Sequence, residues 1–153
     1  MKTGQQKRIP ATRPGEKQKR HIFGAYNWLQ DTISWTIAQT KNSASFIQFL
    51  EHLLVEHYST GRVVLVLDNA SYHKSASALA ALSLFEHRVL VIWLPTYCSD
   101  LNPIERFWRY LKDLACANKL QDNIVEVVKA AEKIMVCQND PGSNLHFHVS
   151  KDL

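Results

Sequence analysis

Two short apolar runs stand out along the chain, Val63 to Leu67 and Val89 to Leu94, and each stops abruptly, at Asp68-Asn69 and at Pro95-Thr96. Runs of five or six residues rich in Val and Ile predict strands covered on both faces, as central parallel strands are. The Ala/Leu-rich stretch from Ser75 to Phe85 between them has the length of the crossover helix that a parallel pair requires. A loop from Pro95 to Leu101 follows, then a helix from Pro103 to about Asn118. In open α/β sheets ligands bind at the carboxyl ends of strands. Asp68 lies at such an end, and Glu105 opens the helix after the second strand.

Upstream the period changes. His21 to Trp28 (HIFGAYNW) alternates and is aromatic-rich, and Thr32 to Ala38 (TISWTIA) is β-branched, so the two predict an antiparallel hairpin turning at Asn27 to Asp31. Asn42 or Ser43 caps a predicted helix to about His57, with Phe46, Ile47, Phe49, Leu50, Leu53 and Leu54 on one broad face. A last helix is expected from about Asn123 to Val136. The first twenty residues hold Pro10, Pro14, Gly4 and Gly15 without periodicity and predict an extended arm. Residues 138–153 contain a Pro-Gly turn and predict a loosely attached tail, which leaves residues 21–137 as the core.

Composition narrows the class. The 46% hydrophobic content of 153 residues suits one domain with a buried core. No apolar run approaches the ~20 residues that span a bilayer, and no signal-peptide core follows the basic start, so the expected location is the cytoplasm. Cys98, Cys116 and Cys137 are odd in number and far apart, which fits reduced thiols better than disulfides or a zinc site. Seven of the 18 Lys and Arg fall in the first twenty residues against Glu16 alone, a net +6. The whole chain carries +4, so the remainder carries −2. A basic arm that includes Lys7, Arg8, Arg13, Lys17, Lys19 and Arg20 is suited to a nucleic-acid backbone; a solvated tail explains it equally.

Two carboxylates at the same sheet edge, Asp68 and Glu105, would offer hard oxygen ligands to Mg²⁺ or Mn²⁺. Such ions support in-line displacement at phosphorus. Asn69, Ser71, Tyr72, His73 and Lys74 crowd the loop after Asp68 with donors, and Lys74 could hold a phosphate. Plainer readings exist for each. Asn102-Pro103-Ile104-Glu105 has the form of a helix start, with Glu105 as capping-box partner of Asn102. Asp68 could be a turn residue and His73 a packing histidine. His146 and His148 in the tail read as incidental, and Trp108, Leu111 and Ala115 read as core.

These residues carry a resemblance. LVLDNASYHKS followed by WLPTYCSDLNPIERFWRYLK is similar to the catalytic core of DDE transposases, in the bacterial insertion-sequence branch of the mariner superfamily. The matching positions are Asp68, Asn69 and His73, then Leu94 to Tyr97, Asp100 to Glu105, Trp108 and Lys112. The resemblance implies an α/β fold: a ribonuclease H-like mixed sheet flanked by helices. It implies that Asp68 and Glu105 are catalytic metal ligands of a two-metal Mg²⁺ or Mn²⁺ site, supported by Asn69, His73 and Asn102. It implies DNA, both element ends and target, as partner, reached through the arm and through Lys74, Arg109 and Lys112, and self-association in the intact family.

Two departures qualify the expectation. Cys98-Ser99 stands where the family has Ser-Pro. More seriously, the family's first catalytic Asp ends a strand before the hairpin, and no apolar run precedes His21. Asp31, in the hairpin turn, and Glu51, on a helix, are not placed to substitute. The sequence therefore predicts an N-terminally truncated core lacking its first strand and its DNA-reading domain. It predicts no activity by the chain alone and complementation by an upstream transposase fragment. A non-catalytic remnant or DNA-binding regulator that keeps the fold is the alternative, and a ribonuclease H-like nuclease of another lineage is disfavoured by Asn-Pro-Ile-Glu.

Overall fold

The computed structural model of the protein describes residues 19–98, 101–116 and 123–148. Strands β1 (His21–Asn27) and β2 (Thr32–Ala38) form the antiparallel hairpin, paired from His21↔Ala38 to Asn27↔Thr32. Helix α1 (Ser43–Glu51) continues into a π-helical turn at His52–His57, so the predicted single helix changes its hydrogen bonding near its end. Strand β3 (Val63–Leu67), a 3₁₀ turn at Ser71–His73, helix α2 (Ala76–Ser83) and strand β4 (Val89–Trp93) follow. Strands β3 and β4 are parallel, paired from Val63↔Val89 to Leu67↔Trp93. Helices α3 (Pro103–Cys116) and α4 (Ile124–Asn139) complete the order.

Short polar side chains start three of these helices. Asn42 accepts from the Ser45 N–H at 3.0 Å, Ser75 from Ala78 at 3.2 Å and Asn123 from Glu126 at 3.0 Å. Each satisfies a donor that the first helical turn leaves unpaired, typically worth about 1 kcal/mol.

The hairpin separates two cores. Phe23 joins Phe46, Phe49, Leu50, Leu53, Leu54, Leu65, Leu67, Ala78, Leu82 and Val89, so α1 and α2 cover that side of both sheets. On the other side Ile33 packs with Ile104, Phe107, Leu111, Ala115, Ala131 and Met135 of α3 and α4. The outer edge of β2 is closed by one side chain. The Asn139 amide accepts the Ile33 N–H at 2.7 Å and donates to the Ile33 carbonyl at 2.8 Å, as a neighbouring strand would.

Three expectations change. Strands β3 and β4 are covered on one face, not two: Leu65, Leu67 and Val89 are buried, whereas Val64, Val66, Leu90 and Ile92 remain 38% to 62% exposed. Helices α3 and α4 lie over the hairpin and leave that face open. The described residues also form two two-stranded sheets and not one continuous sheet. Third, the segment after α4 is anchored through His148. The buried Gln138 amide donates to the carbonyls of Asp31 (2.7 Å) and Phe147 (2.8 Å), while its oxygen accepts from the Phe147 N–H (2.8 Å). A Pro-Gly turn reports only that α4 ends; the anchor is a single aromatic residue, Phe147, with no periodicity around it.

Gly24 is fixed by packing. A Cβ there would lie 2.5 Å from Cη2 and 2.8 Å from Cζ2 of Trp108. Gly24→Ala is expected to destabilise the fold by about 1–3 kcal/mol through overpacking, read as a lower urea midpoint with unchanged slope. A loss below ~0.5 kcal/mol would show that the Trp108 ring moves aside freely.

Candidate active site

Strand β3 delivers Asp68 to the sheet's carboxyl edge, and the turn after it fixes the carboxylate. Asp68 Oδ1 accepts from the Ala70 N–H at 3.0 Å and lies 3.0 Å from His73 Nδ1, which also lies 3.2 Å from the Asp68 carbonyl oxygen. Both partners are acceptors, so Nδ1 carries the proton and donates. His73 is buried, with Phe46 and Tyr72 rings 4.5 and 4.4 Å away. Burial holds its pKa below the usual value, against the opposing pull of Asp68. A neutral imidazole therefore braces Asp68 at neutral pH.

Helix α3 delivers Glu105. Its backbone N–H bonds the Asn102 carbonyl at 3.0 Å, and Asn102 Oδ1 accepts from Ile104 at 3.4 Å. The reciprocal half of a capping box, Glu105 back to Asn102, does not form. The Glu105 carboxylate has no hydrogen-bond or ion-pair partner among the described residues. The capping explanation for this glutamate is thereby removed.

The two carboxylates share one place. A groove of about 600 Å³ between the hairpin and β3 is lined by Asp68, His73, Asn102, Glu105, Tyr72 and Trp108, among others. A second cavity of about 530 Å³ adjoins it and is also lined by Asp68, Tyr72, Glu105 and Trp108. Burial, then the charges of Asp68 and Glu105, push the Tyr72 hydroxyl up to about 12. Tyr72 is thus a protonated donor beside both carboxylates at neutral pH.

The other predicted residues divide. Arg20 and Lys112 line the second cavity with the carboxylates. Lys74 instead stacks over the Trp93 ring at 4.8 Å and lines neither cavity. Arg109 is exposed on α3 and lines neither, and Lys19 is exposed just before β1. Asn69 turns away from the groove: its amide donates to the Leu94 carbonyl at 2.9 Å and to Thr96 Oγ1 at 3.4 Å, tying together the loops after β3 and β4. Lys7, Arg8, Arg13, Lys17 and Asp100 lie outside the described residues. Asp31 and Glu51 stand apart from the groove; Asp31 is buried in the hairpin turn, where Tyr26 donates to it at 2.6 Å.

Sequence reading passes over Lys41. It lines the second cavity and sits 5.6 Å from the Tyr72 ring centroid. Nothing local marks it, because it comes from the loop before α1 and meets the site only through folding.

Over 132 residues the chain is 29% identical to the insertion element IS630 uncharacterized 39 kDa protein of Shigella sonnei, covering 86% of this chain and 38% of that protein. The chain thus spans well under half the length of this curated relative. Its fold is similar to a chain in the cryo-EM structure of the simian T-cell lymphotropic virus intasome in complex with PP2A regulatory subunit B56 gamma. That likeness has a TM-score of 0.60 and 16% identity, over 78% of this chain and 44% of the other. Residues 1–126, most of the sequence, match the DDE superfamily endonuclease family. The chain belongs to that family.

Proposed function

We propose that this chain is the catalytic-core part of a DNA transposase, and that it contributes two carboxylates, Asp68 and Glu105, to metal-dependent strand cleavage and strand transfer. What supports this reading above all is that two chain-distant carboxylates line one groove while that of Glu105 has no partner among the described residues. Two carboxylates are hard donors suited to Mg²⁺ or Mn²⁺. A divalent ion bound there would polarise a phosphoryl oxygen and lower the pKa of a bound water. Among the described residues no group of three or more His, Cys, Asp or Glu could hold a metal. The two carboxylates fit such a site only as part of it, and the chain alone is inactive until a further ligand is supplied.

Around this pair the chain's own residues bind and orient. The neutral His73 holds Asp68 in one rotamer, and the Tyr72 hydroxyl stays protonated as a donor. Arg20, Lys41 and Lys112 ring the second cavity with positive charge, which suits the phosphates of an element end or a target strand. Action on two DNA ends calls for two such sites, so self-association belongs to this reading. No helix among the described residues is long and apolar enough to cross a membrane, and the cytoplasm is the proposed location.

The second reading, a DNA-binding regulator without chemistry, is favoured by the same shortage of a third ligand. Asp68→Ala separates the two. In a complex with a polypeptide that supplies the further ligand, the substitution is expected to abolish Mg²⁺-dependent strand transfer while leaving DNA affinity, measured by gel shift, unchanged or higher. Strand transfer by the 153-residue chain alone, or no activity in any reconstituted complex, would overturn the proposal.

A further inference from the structure

We infer that Tyr97 is a stacking platform for one unpaired nucleobase of a DNA strand held at the site, an inference that rests on the DNA-transposase reading. The turn after β4 carries it. Leu94 still donates to the Leu67 carbonyl at 2.8 Å, and the chain then reverses: the Cys98 N–H bonds the Pro95 carbonyl at 3.2 Å. Tyr97, third in that turn, has φ 66°. A positive φ there is the mark of a type II turn, which favours glycine or asparagine at this position. For a bulky side chain the left-handed region is an outlier that costs free energy. Among the described residues one other non-glycine adopts it, Asp31 at φ 55°. Contacts hold Asp31 there, since it is buried and accepts from Tyr26 at 2.6 Å. Tyr97 is 97% exposed, so packing does not account for the ring.

The turn is nonetheless fixed beside the site. Asn69, the residue after Asp68, donates its amide to the Leu94 carbonyl at 2.9 Å and to Thr96 Oγ1 at 3.4 Å. The loop that aims Asp68 and the turn that bears Tyr97 are thus one unit. Strained backbone that no internal contact offsets, placed next to a site, points to a partner outside the chain. The chemistry of that partner follows from the ring. An exposed phenol ring on a pinned turn offers a flat π face, and every nucleobase presents another, whatever its sequence. Bases within a duplex are already stacked above and below, so the ring selects a base that has left the helix. Lys74, 4.8 Å from the Trp93 ring centroid, sets a positive charge at the same end of β4, suited to the adjoining phosphate.

The probes are a short single-stranded oligodeoxynucleotide, an abasic version with the same phosphates, and the blunt duplex of the same sequence. Each is titrated into the full chain by calorimetry, without divalent metal. Tyr97→Ala should weaken the single strand about five- to a hundredfold, the span of one base–aromatic stack, and leave the other two within about twofold. Tyr97→Trp should keep the wild-type preference for the single strand. Tyr97→Gly, which suits the positive φ, should lose single-strand affinity as Ala does while its urea midpoint stays at or above that of the wild type. A folding defect then cannot explain the loss. Equal losses on all three DNAs, or none, would overturn the inference. So would weaker self-association of Tyr97→Ala in sedimentation with DNA affinity unchanged, which would place the ring at a protein interface. Binding is read here without turnover. If Asp68→Ala retains strand transfer in a reconstituted complex, the catalytic reading fails while these affinities stand.

Discussion

Replacing Glu105 with Gln should abolish Mg²⁺-dependent strand cleavage by the reconstituted protein and leave its stability essentially unchanged. The two halves of this expectation come from one observation, that the Glu105 carboxylate contacts no donor among the described residues. Its loss therefore removes no structural hydrogen bond. The favourable effect of a negative charge in the first helical turn, about 0.3–1 kcal/mol, is lost. Relief of repulsion from Asp68 offsets part of it, so the urea midpoint should move by the equivalent of about 0.5 kcal/mol or less. If Glu105 ligates metal as proposed, loss of its charge, in contrast, costs several kcal/mol of transition-state stabilisation, on the order of a thousandfold in rate. Asp68→Ala behaves differently, because Ala70 and His73 lose their acceptor and the fold loses about 1–3 kcal/mol as well. Tyr72 supplies an internal check: its hydroxyl, pushed up to about 12 partly by the Glu105 charge, should titrate lower in Glu105→Gln. Cleavage near the wild-type rate in Glu105→Gln would remove this residue from the chemistry.

Much of this site can be read in the sequence, for physical reasons. Asp68 and Glu105 sit where apolar strand patterns break, and such breaks mark the sheet's carboxyl edge in any α/β fold. The hairpin, both parallel strands and all four helices likewise announce themselves by period and by caps such as Asn42 and Ser75. What is not legible depends on distant partners. The run Val63 to Leu67 looks doubly buried, yet alternate residues Val64 and Val66 face outward, because nothing local says which elements will cover a face. Asn69 has the position of a site residue, but a loop twenty-five positions away claims its amide. Lys74 appears ready for a phosphate and is drawn to Trp93. Glu105 has an adequate local explanation as a cap, and only the three-dimensional hydrogen bonding removes it.

Phe107→Ala should be the most damaging single substitution away from the groove, lowering stability by about 3–5 kcal/mol. Phe107 is fully buried and lies at the centre of an aromatic cluster, 5.5 Å from Tyr26, 5.9 Å from Tyr110 and 6.0 Å from Phe147 between ring centroids. These neighbours come from the hairpin, from α3 itself and from the segment after α4, so one ring holds three parts of the chain together. Truncation leaves a cavity that cannot close by a single shift, because each wall belongs to a different element. The consequence extends to the site, since α3 carries Glu105 two residues before Phe107. A loosened α3 would displace that carboxylate from Asp68, and Tyr72 should again titrate lower, now for a structural reason. The two causes are separable by denaturation: Glu105→Gln leaves the urea midpoint in place, while Phe107→Ala shifts it strongly. Phe107→Leu, which retains most of the volume, should cost about half as much or less and keep the Tyr72 titration high. A loss under ~1 kcal/mol for Phe107→Ala would mean that α3 is held chiefly by α4, and that the aromatic cluster is not what fixes the helix bearing Glu105.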